Sequence, residues 1–499
     1  MQVSRIRING YDNPIGFSFD TIRCSWIVSN TKAKKTEFVK IEVSKDEKFE
    51  NIIYHKEGGN LNSVCEELQM KPEPYTRYYV RVHVTTSEKE QASGVGFFET
   101  AKMNQKWEAK WIKPQPEDTY HPTFEKEFQV KENIASARLY ISGLGLYACK
   151  INGKRVGDEI LTPYYSDYNT DVQYQTFDIK EYLSKSNKIV IELGNGWYKG
   201  FFGLEGRDKN WGSEFQTIAE IRIRYSDKTE EVVSTDESWL YYGSDTEGSD
   251  IYHGEIINHL LWEGKENPKK KPVEGSIKGT LRERYSLPLK EHEEMKVKKV
   301  IHTPAGETVL DFGQNFAGYV QFHCNLKKGT KIVLDYGEIL QHGNFYNANY
   351  KTAKAHFIYV SNGKDEIVKP QFTYYGFRYV RVTGWEGDIN KDDFVGKALY
   401  STMAFTGHIE TGYQKLNQLF SNVFWGQRSN FVDFPTDCPQ LSFNMYTPAF
   451  YNKFIHDLRV EQNKYDGSIP CEIPVFNPGM AAPSAVWGDC ATILPTVVY

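Results

Sequence analysis

A chain of 499 residues, 40% hydrophobic and 25% charged, has length for about three domains and is too apolar to be disordered. The 60 Lys and Arg against 65 Asp and Glu leave a net charge of −5, so the basic excess of a nucleic-acid-binding surface is absent. The 7 cysteines are scattered without a C-x-x-C pair, which argues against a zinc site or a disulfide framework and for reduced thiols. No apolar leader follows Met1 and no run approaches the ~18 apolar residues of a membrane span, so the expectation is a cytoplasmic protein without a membrane partner.

The first hundred residues alternate with period two. Tyr78, Val80, Val82 and Val84 share one face of a strand, and Val39, Ile41 and Val43 share one face of another. Short strands between Gly, Asn and Pro clusters predict a small β-sandwich, with a boundary near Ala101–Trp107.

Residues 107–285 continue as β structure. Ile151-Asn-Gly-Lys154 is a hairpin signal, because Asn-Gly tolerates the positive φ of a type I′ turn. Ile189, Ile191 and Leu193 alternate with Val190 and Glu192 before Gly194-Asn-Gly-Trp-Tyr198, and Ile221, Ile223 and Tyr225 alternate with Arg222 and Arg224. The run Lys269–Lys271 reads as a solvated loop. A third β unit is expected from 300 to 400, with separate segments at Val309–Asn315, Val320–His323, Ile332–Tyr336 and Phe377–Val382.

The period then changes. Leu416, Leu419, Phe420, Val423, Phe424 and Gln427 recur at helical spacing, with Thr411 as the expected cap, and Phe450, Phe454 and Leu458 repeat the pattern. From Asp466 to Pro483 the sequence is loop-like.

Phosphate-loop, dinucleotide, zinc-protease and nucleophile-elbow motifs are all missing. What remains is a group of acids toward the C-terminal end (Asp433, Asp437, Asp457, Glu461, Asp466, Glu472 and Asp489) with Trp425, Phe476 and Trp487. Glycoside hydrolysis needs two carboxyl groups, one protonated and one ionised, and apolar surroundings can supply the protonated one. The 72 aromatic residues suit strands and also stack on sugar rings. Plainer readings compete. Asp489 precedes an apolar run and fits a helix N-cap, Asp437 fits a turn, Trp487 fits a core, and Asp457 with Glu461 at i, i+4 fits a solvated helix face.

Several segments resemble bacterial α-L-rhamnosidases. Ile151-Asn-Gly-Lys-Arg-Val-Gly-Asp158, Val172-Gln-Tyr-Gln175 and Gly194-Asn-Gly-Trp-Tyr198 are similar to that family's N-terminal jelly roll. Asp311-Phe-Gly-Gln-Asn-Phe-Ala-Gly-Tyr-Val320 and Phe372-Thr-Tyr-Tyr-Gly-Phe-Arg-Tyr-Val380 look like its second β module. Trp425-Gly-Gln-Arg-Ser-Asn430, Pro435-Thr-Asp-Cys-Pro-Gln440, Asp457-Leu-Arg459 and Trp487-Gly-Asp489 look like the opening of its (α/α)6 barrel. The resemblance implies a mostly β, multi-domain chain: an Ig-like sandwich over 1–103, a jelly roll over 107–285, a concanavalin-like β-sandwich over 290–402, and a truncated helical barrel segment over 403–499.

The implied chemistry is inverting hydrolysis of terminal α-L-rhamnose from rhamnose-containing glycosides, with one Glu as general acid and another as general base. By motif, Asp437, Trp487, Asp489 and, more loosely, Phe476 fall at sugar-pocket positions. If the jelly roll itself bound sugar, Asn152, Asp158, Asn195 and Trp197 would be its contacts, although a turn and core packing explain them too. Some relatives carry a calcium-assisted rhamnose site in this module, so the resemblance leaves calcium there open without assigning its ligands, and no other cofactor is implied.

Two departures bear on activity. In the family the Asp-Cys-Pro-Gln motif runs into an acidic block that carries the general acid, whereas here Gln440 is followed by Leu441-Ser-Phe-Asn-Met445. The chain also stops at Tyr499, short of the general base and with room for only a few helices of ~11–12 residues. The expectation is a family member that is impaired or inactive as written. The alternatives are a non-catalytic carbohydrate-binding protein and a gene remnant.

Overall fold

The computed structural model describes every residue except 204–205, 436–443, 478, 480, 484–487 and 499, together with the side chain at 497. Two compact units emerge: Met1–Trp107 with the short pieces Gln175–Phe177 and Arg282–Tyr285, and the remainder of the chain.

The first unit is a two-sheet sandwich. One sheet has four strands, with Gln2–Ile8 and Ile22–Ser29 at its centre; the other has five, with Thr36–Ser44, Arg77–Thr86 and Gln91–Thr100 side by side. The expected alternation holds: Tyr78, Val80, Val82 and Val84 are buried, pack with Val39, Ile41 and Val43, and enclose Trp26 and Phe98. Between them Glu42 points the other way, yet it is also shielded. Burial would raise its carboxyl pKa, but hydrogen bonds from Lys40, Arg81 and His83 outweigh that and hold it down to about 2.

The second unit carries three larger sheets. One is organised around Ile134–Leu144 and Gln216–Tyr225. A five-stranded sheet runs in the order Lys154–Arg155, Leu146–Ile151, Ser186–Gly194, Pro122–Gln129, Leu240–Gly243. The hairpin at Ile151–Lys154 forms as read, with Asn152 at φ 52° and Gly153 at φ 78°. Ile189, Ile191 and Leu193 are buried, as are Ile221, Ile223 and Tyr225.

The third sheet has ten strands. Thr246–Asp250 and Gly254–Asn258, within the segment assigned from sequence to the jelly roll, join it through parallel pairing of Gly254–Asn258 with His356–Val360. The segments expected separately at Val309–Asn315 and Val320–His323 are one strand, Thr308–Cys324. Its register against Tyr375–Thr383 shifts between Asp311 and Phe316, where Gly313 takes φ 78° and its N–H donates to Asp311 Oδ1 at 2.7 Å. A bulge thus keeps pairing continuous through a stretch whose alternation is broken. The core of this sheet is aromatic, with Tyr336 stacked on Tyr375 at 3.7 Å and Phe316 beside Phe377 at 4.5 Å.

Four helices are described: α1 (Gly196–Lys199), α2 (Gln414–Asn430), α3 (Pro448–Lys464) and α4 (Cys490–Val498). Helix α2 forms where the periodicity placed it, but its cap position is Tyr413 rather than Thr411, which bonds back to Asn417 instead. It rests on the long strand through Ala317 N–H to Ser429 Oγ (3.1 Å) and Trp425 against Phe316 (6.4 Å). Leu419 and Val423 on its apolar stripe stay 55% and 44% exposed. The lysine run is not simply solvated: Lys269 pairs with Glu125, and Lys270 Nζ lies 2.8 Å from Asp118 Oδ1. Of the described cysteines none is bridged; Cys24, Cys149 and Cys324 are buried and Cys65 is exposed. Among the described residues no helix is long and apolar enough to cross a membrane.

Candidate functional site

Helix α3 begins with Pro448, whose fixed φ suits the first helical turn. Along one face it presents Lys453, Asp457 and Glu461, each a helical turn apart, and all three are buried to 3% exposure or less. That corrects the reading of Asp457 and Glu461 as a solvated face. The face is covered by the loop leading into strand Asp171–Asp178, in which Tyr164, Tyr165, Ser166, Asp167 and Tyr168 are buried.

Lys453 Nζ sits 2.7 Å from Asp457 Oδ2 and 3.4 Å from Asp433 Oδ2. Asp433 itself takes φ 73°, accepts a hydrogen bond from Tyr165 N–H at 2.9 Å, and donates its own N–H to Ser401 Oγ at 3.0 Å. His456 Nε2 lies 2.8 Å from Asp171 Oδ2, and Lys464 pairs with Asp167 and lies 3.5 Å from Glu461 Oε1. One ammonium thus joins two carboxylates, and flanking pairs tie α3 to the loop.

Glu461, Asp457 and Lys453 titrate abnormally. Burial pushes the Glu461 carboxyl up to about 7 against a bond from Val475 N–H, with Asp457 adding to the rise. Asp457 is raised by burial in spite of Lys453. For Lys453 burial pulls the pKa down, but Asp433 and Asp457 overcome it and the ammonium is held charged. A carboxyl protonated near neutrality beside an ion-paired carboxylate is the contrast that acid–base chemistry uses. Glu461 is enclosed by protein, so here the contrast also serves to hold the loop on the helix.

An aromatic layer lies against this network. The ring of Tyr165 is 5.3 Å from Phe434, 5.8 Å from Trp197, 6.1 Å from Phe202 and 6.4 Å from Trp211. Phe476 packs on Phe202 at 4.6 Å and over Gly203, where a Cβ would come within 2.6 Å of its ring. Trp197 and Phe476, singled out in different segments, therefore fall into one cluster.

The other candidates are placed elsewhere. Asp437 and Trp487 lie outside the described residues. Asp489 is exposed immediately before α4, and its carbonyl accepts from Thr492 N–H and Ile493 N–H. Asn152 spends its amide on the protein: Nδ2 donates to Tyr182 O and Asn187 Oδ1, and Oδ1 accepts from Lys188 N–H. Asp158 is 72% exposed and paired with Lys290 at 2.8 Å, while Asn195 starts α1 and donates to Asp250 Oδ1 at 3.2 Å. Among the described residues no group of three or more His, Cys, Asp or Glu side chains is disposed to hold a metal.

Four family models match in chain order. Residues 3–104 match the Rha78A-like N-terminal immunoglobulin domain and 132–266 the α-L-rhamnosidase N-terminal domain. Residues 301–400 match the bacterial α-L-rhamnosidase concanavalin-like domain, and 404–499 its six-hairpin glycosidase domain. The chain belongs to the bacterial α-L-rhamnosidase family.

Among curated members, an α-L-rhamnosidase of Streptomyces avermitilis is 30% identical over 80% of this chain and 42% of its own length. One of Alteromonas sp. (strain LOR) is 26% identical over 98% of this chain and 59% of its own. The crystal structure of the Aspergillus terreus α-L-rhamnosidase superimposes on the whole chain with a TM-score of 0.91 at 26% identity, using 62% of that protein. The Streptomyces avermitilis enzyme in complex with L-rhamnose superimposes with a TM-score of 0.91 at 20% identity over 68% of its length, which bears on the fold alone. The chain spans between 42% and 61% of the length of the curated relatives it matches.

Proposed function

We propose that this chain derives from an enzyme that hydrolyses terminal, non-reducing α-L-rhamnose from rhamnosides with inversion, and that the 499-residue chain is itself impaired because the segment bearing the general acid is missing after Gln440. The observation that carries the first part is the unbroken order of four rhamnosidase domain types along the chain. The second part rests on the direct step from Gln440 to Leu441-Ser-Phe-Asn-Met445. A Formosa agariphila relative aligns over 586 positions with the whole of this 499-residue chain. That relative therefore carries residues inside the aligned span that this chain lacks.

In this reading Asp437, Trp487, Asp489 and Phe476 are the sugar-pocket positions by motif, and of these Phe476 belongs to the aromatic layer on Phe202. The buried network of α3 acts as positioning rather than as acid: Glu461 has the right protonation state, but it is enclosed. Losing a general acid costs on the order of 10²–10⁴ in rate.

The test is release of the aryl alcohol from an aryl α-L-rhamnoside by the purified chain, beside an Asp437→Asn/Asp489→Asn double variant. Equal, background-level rates support the reading. Turnover well above the double variant defeats the missing-acid part and directs attention to Glu461.

A further inference from the structure

Between the five-stranded sheet and the edge of the ten-stranded sheet, within the second unit, lies a cleft of about 650 Å³. Sites for small molecules run from about 300 to 1,000 Å³. Strand residues of both sheets line it, together with the connection that carries Asp245, His259 and Trp262.

Its charged groups are held by partners, most of them within the cleft, with Lys369 paired to Glu291 outside it. Lys150 Nζ lies 3.2 Å from Glu192 Oε1, and Gln371 Nε2 donates to Glu192 Oε2 at 3.1 Å. His259 Nδ1 is 2.7 Å from Asp245 Oδ2, and its Nε2 is 3.6 Å from Glu366 Oε1. Beneath Gln371, the backbone N–H groups of Gln371 and Phe372 donate to Glu255 Oε2 at 2.7 and 2.9 Å, and Glu255 is wholly buried. The lining is thus a fixed array of donors and acceptors with no large excess of either charge.

The aromatic part is equally fixed. Trp262 lies directly over Gly243, where a Cβ would come within 1.9 Å of indole Cζ2, so only glycine admits the ring there. Its Nε1–H donates to Ser244 O at 2.8 Å, and Tyr120 packs edge-on at 5.3 Å. Tyr242 adds a second ring on the cleft.

We propose that this cleft binds a neutral saccharide segment, with Trp262 as the stacking platform and Glu192, Lys150, Gln371 and Asp245 as hydroxyl partners. An anion would meet Glu192, Asp245 and Glu366, and a cation would meet Lys150, Arg155 and Lys369. An apolar ligand would strip water from paired charges without replacing its hydrogen bonds. A sugar offers hydroxyls that both donate and accept, and an apolar ring face that suits an aromatic side chain. The proposal does not rest on the hydrolytic reading.

The experiment is calorimetric titration of the full 499-residue chain with methyl α-L-rhamnoside, lactose, maltotriose and xylotriose, with trigalacturonate as an anionic control. At least one neutral saccharide is expected to bind one-to-one and more tightly than trigalacturonate. Trp262→Ala or Lys150→Ala should weaken that binding about tenfold or more. Lys150 is half-exposed, so its variant decides the matter if Trp262→Ala does not fold. Asp437→Asn/Asp489→Asn should leave the cleft's affinity unchanged. No neutral ligand bound, tighter binding of trigalacturonate, or wild-type affinity in every folded cleft variant overturns the proposal. If the rhamnoside is the sole neutral saccharide bound and its binding is lost only in the Asp437→Asn/Asp489→Asn variant, the proposal is overturned too, while the rhamnosidase reading stands.

Discussion

Lys453 Nζ lies 3.4 Å from Asp433 Oδ2, and neither side chain is more than 1% exposed. Asp433 belongs to the segment just after α2 and Lys453 to α3, and the same aspartate holds the backbone of Tyr165 in the jelly-roll loop. This buried pair, together with Lys453–Asp457 and the flanking His456–Asp171 and Lys464–Asp167 pairs, holds the entry to the helical segment on the β structure before it.

Removing the cation should be severe. Lys453→Ala leaves Asp433 and Asp457 buried without compensation, and breaking a buried pair in this way costs about 3–5 kcal/mol. Thermal unfolding should show a lowered midpoint for Lys453→Ala, larger than for a substitution at half-exposed Lys369.

Glu461 gives a pH signature. Its carboxyl is raised by burial to about 7 in the folded chain, above its unfolded value of about 4.5. The folded state then holds the extra proton, so this contribution to stability is complete below the unfolded pKa and is lost as pH rises through about 7. Glu255 titrates in the same window, so wild type and Glu461→Gln must be compared directly. Denaturant midpoints between pH 4.5 and 7 should fall less steeply for Glu461→Gln.

Glu42 in the first unit works with the opposite sign. Its bonds from Lys40, Arg81 and His83 overcome burial and keep it ionised down to about 2. That stability is present above the unfolded pKa and disappears as pH falls toward the folded value. Glu42→Gln should destabilise residues 1–107 by about 1.5–3 kcal/mol at neutral pH, the scale of a charged hydrogen bond, and flatten their acid unfolding.

Among the jelly-roll candidates, Trp197→Ala should cost about 3–5 kcal/mol, because the indole is buried against Tyr165 and Phe434. Asp158→Ala should cost no more than about 1 kcal/mol, the worth of an exposed ion pair. Melting curves of the two variants distinguish a packing residue from a surface one.

The β architecture was legible because period-two alternation at Tyr78–Val84, Ile189–Leu193 and Ile221–Tyr225 reports one buried face directly. The long strand Thr308–Cys324 was not, since its bulge at Gly313 breaks the alternation and looks like a boundary. Individual members of the candidate site were visible as acids and aromatics, but their arrangement was not. Lys453, Asp457 and Glu461 at helical spacing carry the same pattern as a solvated face of mixed charge. Only the covering loop at 164–168, nearly three hundred positions earlier, turns that face inward. Tyr165 and His456 were missed for the same reason: each matters through a partner distant in sequence.

The most direct measurement is the rate of aryl alcohol release from an aryl α-L-rhamnoside by the 499-residue chain and by its Asp437→Asn/Asp489→Asn variant, at matched folded concentrations. A chain lacking the acid-bearing segment should be indistinguishable from the double variant. A rate clearly above it would contradict that claim and require another carboxyl group to supply the proton.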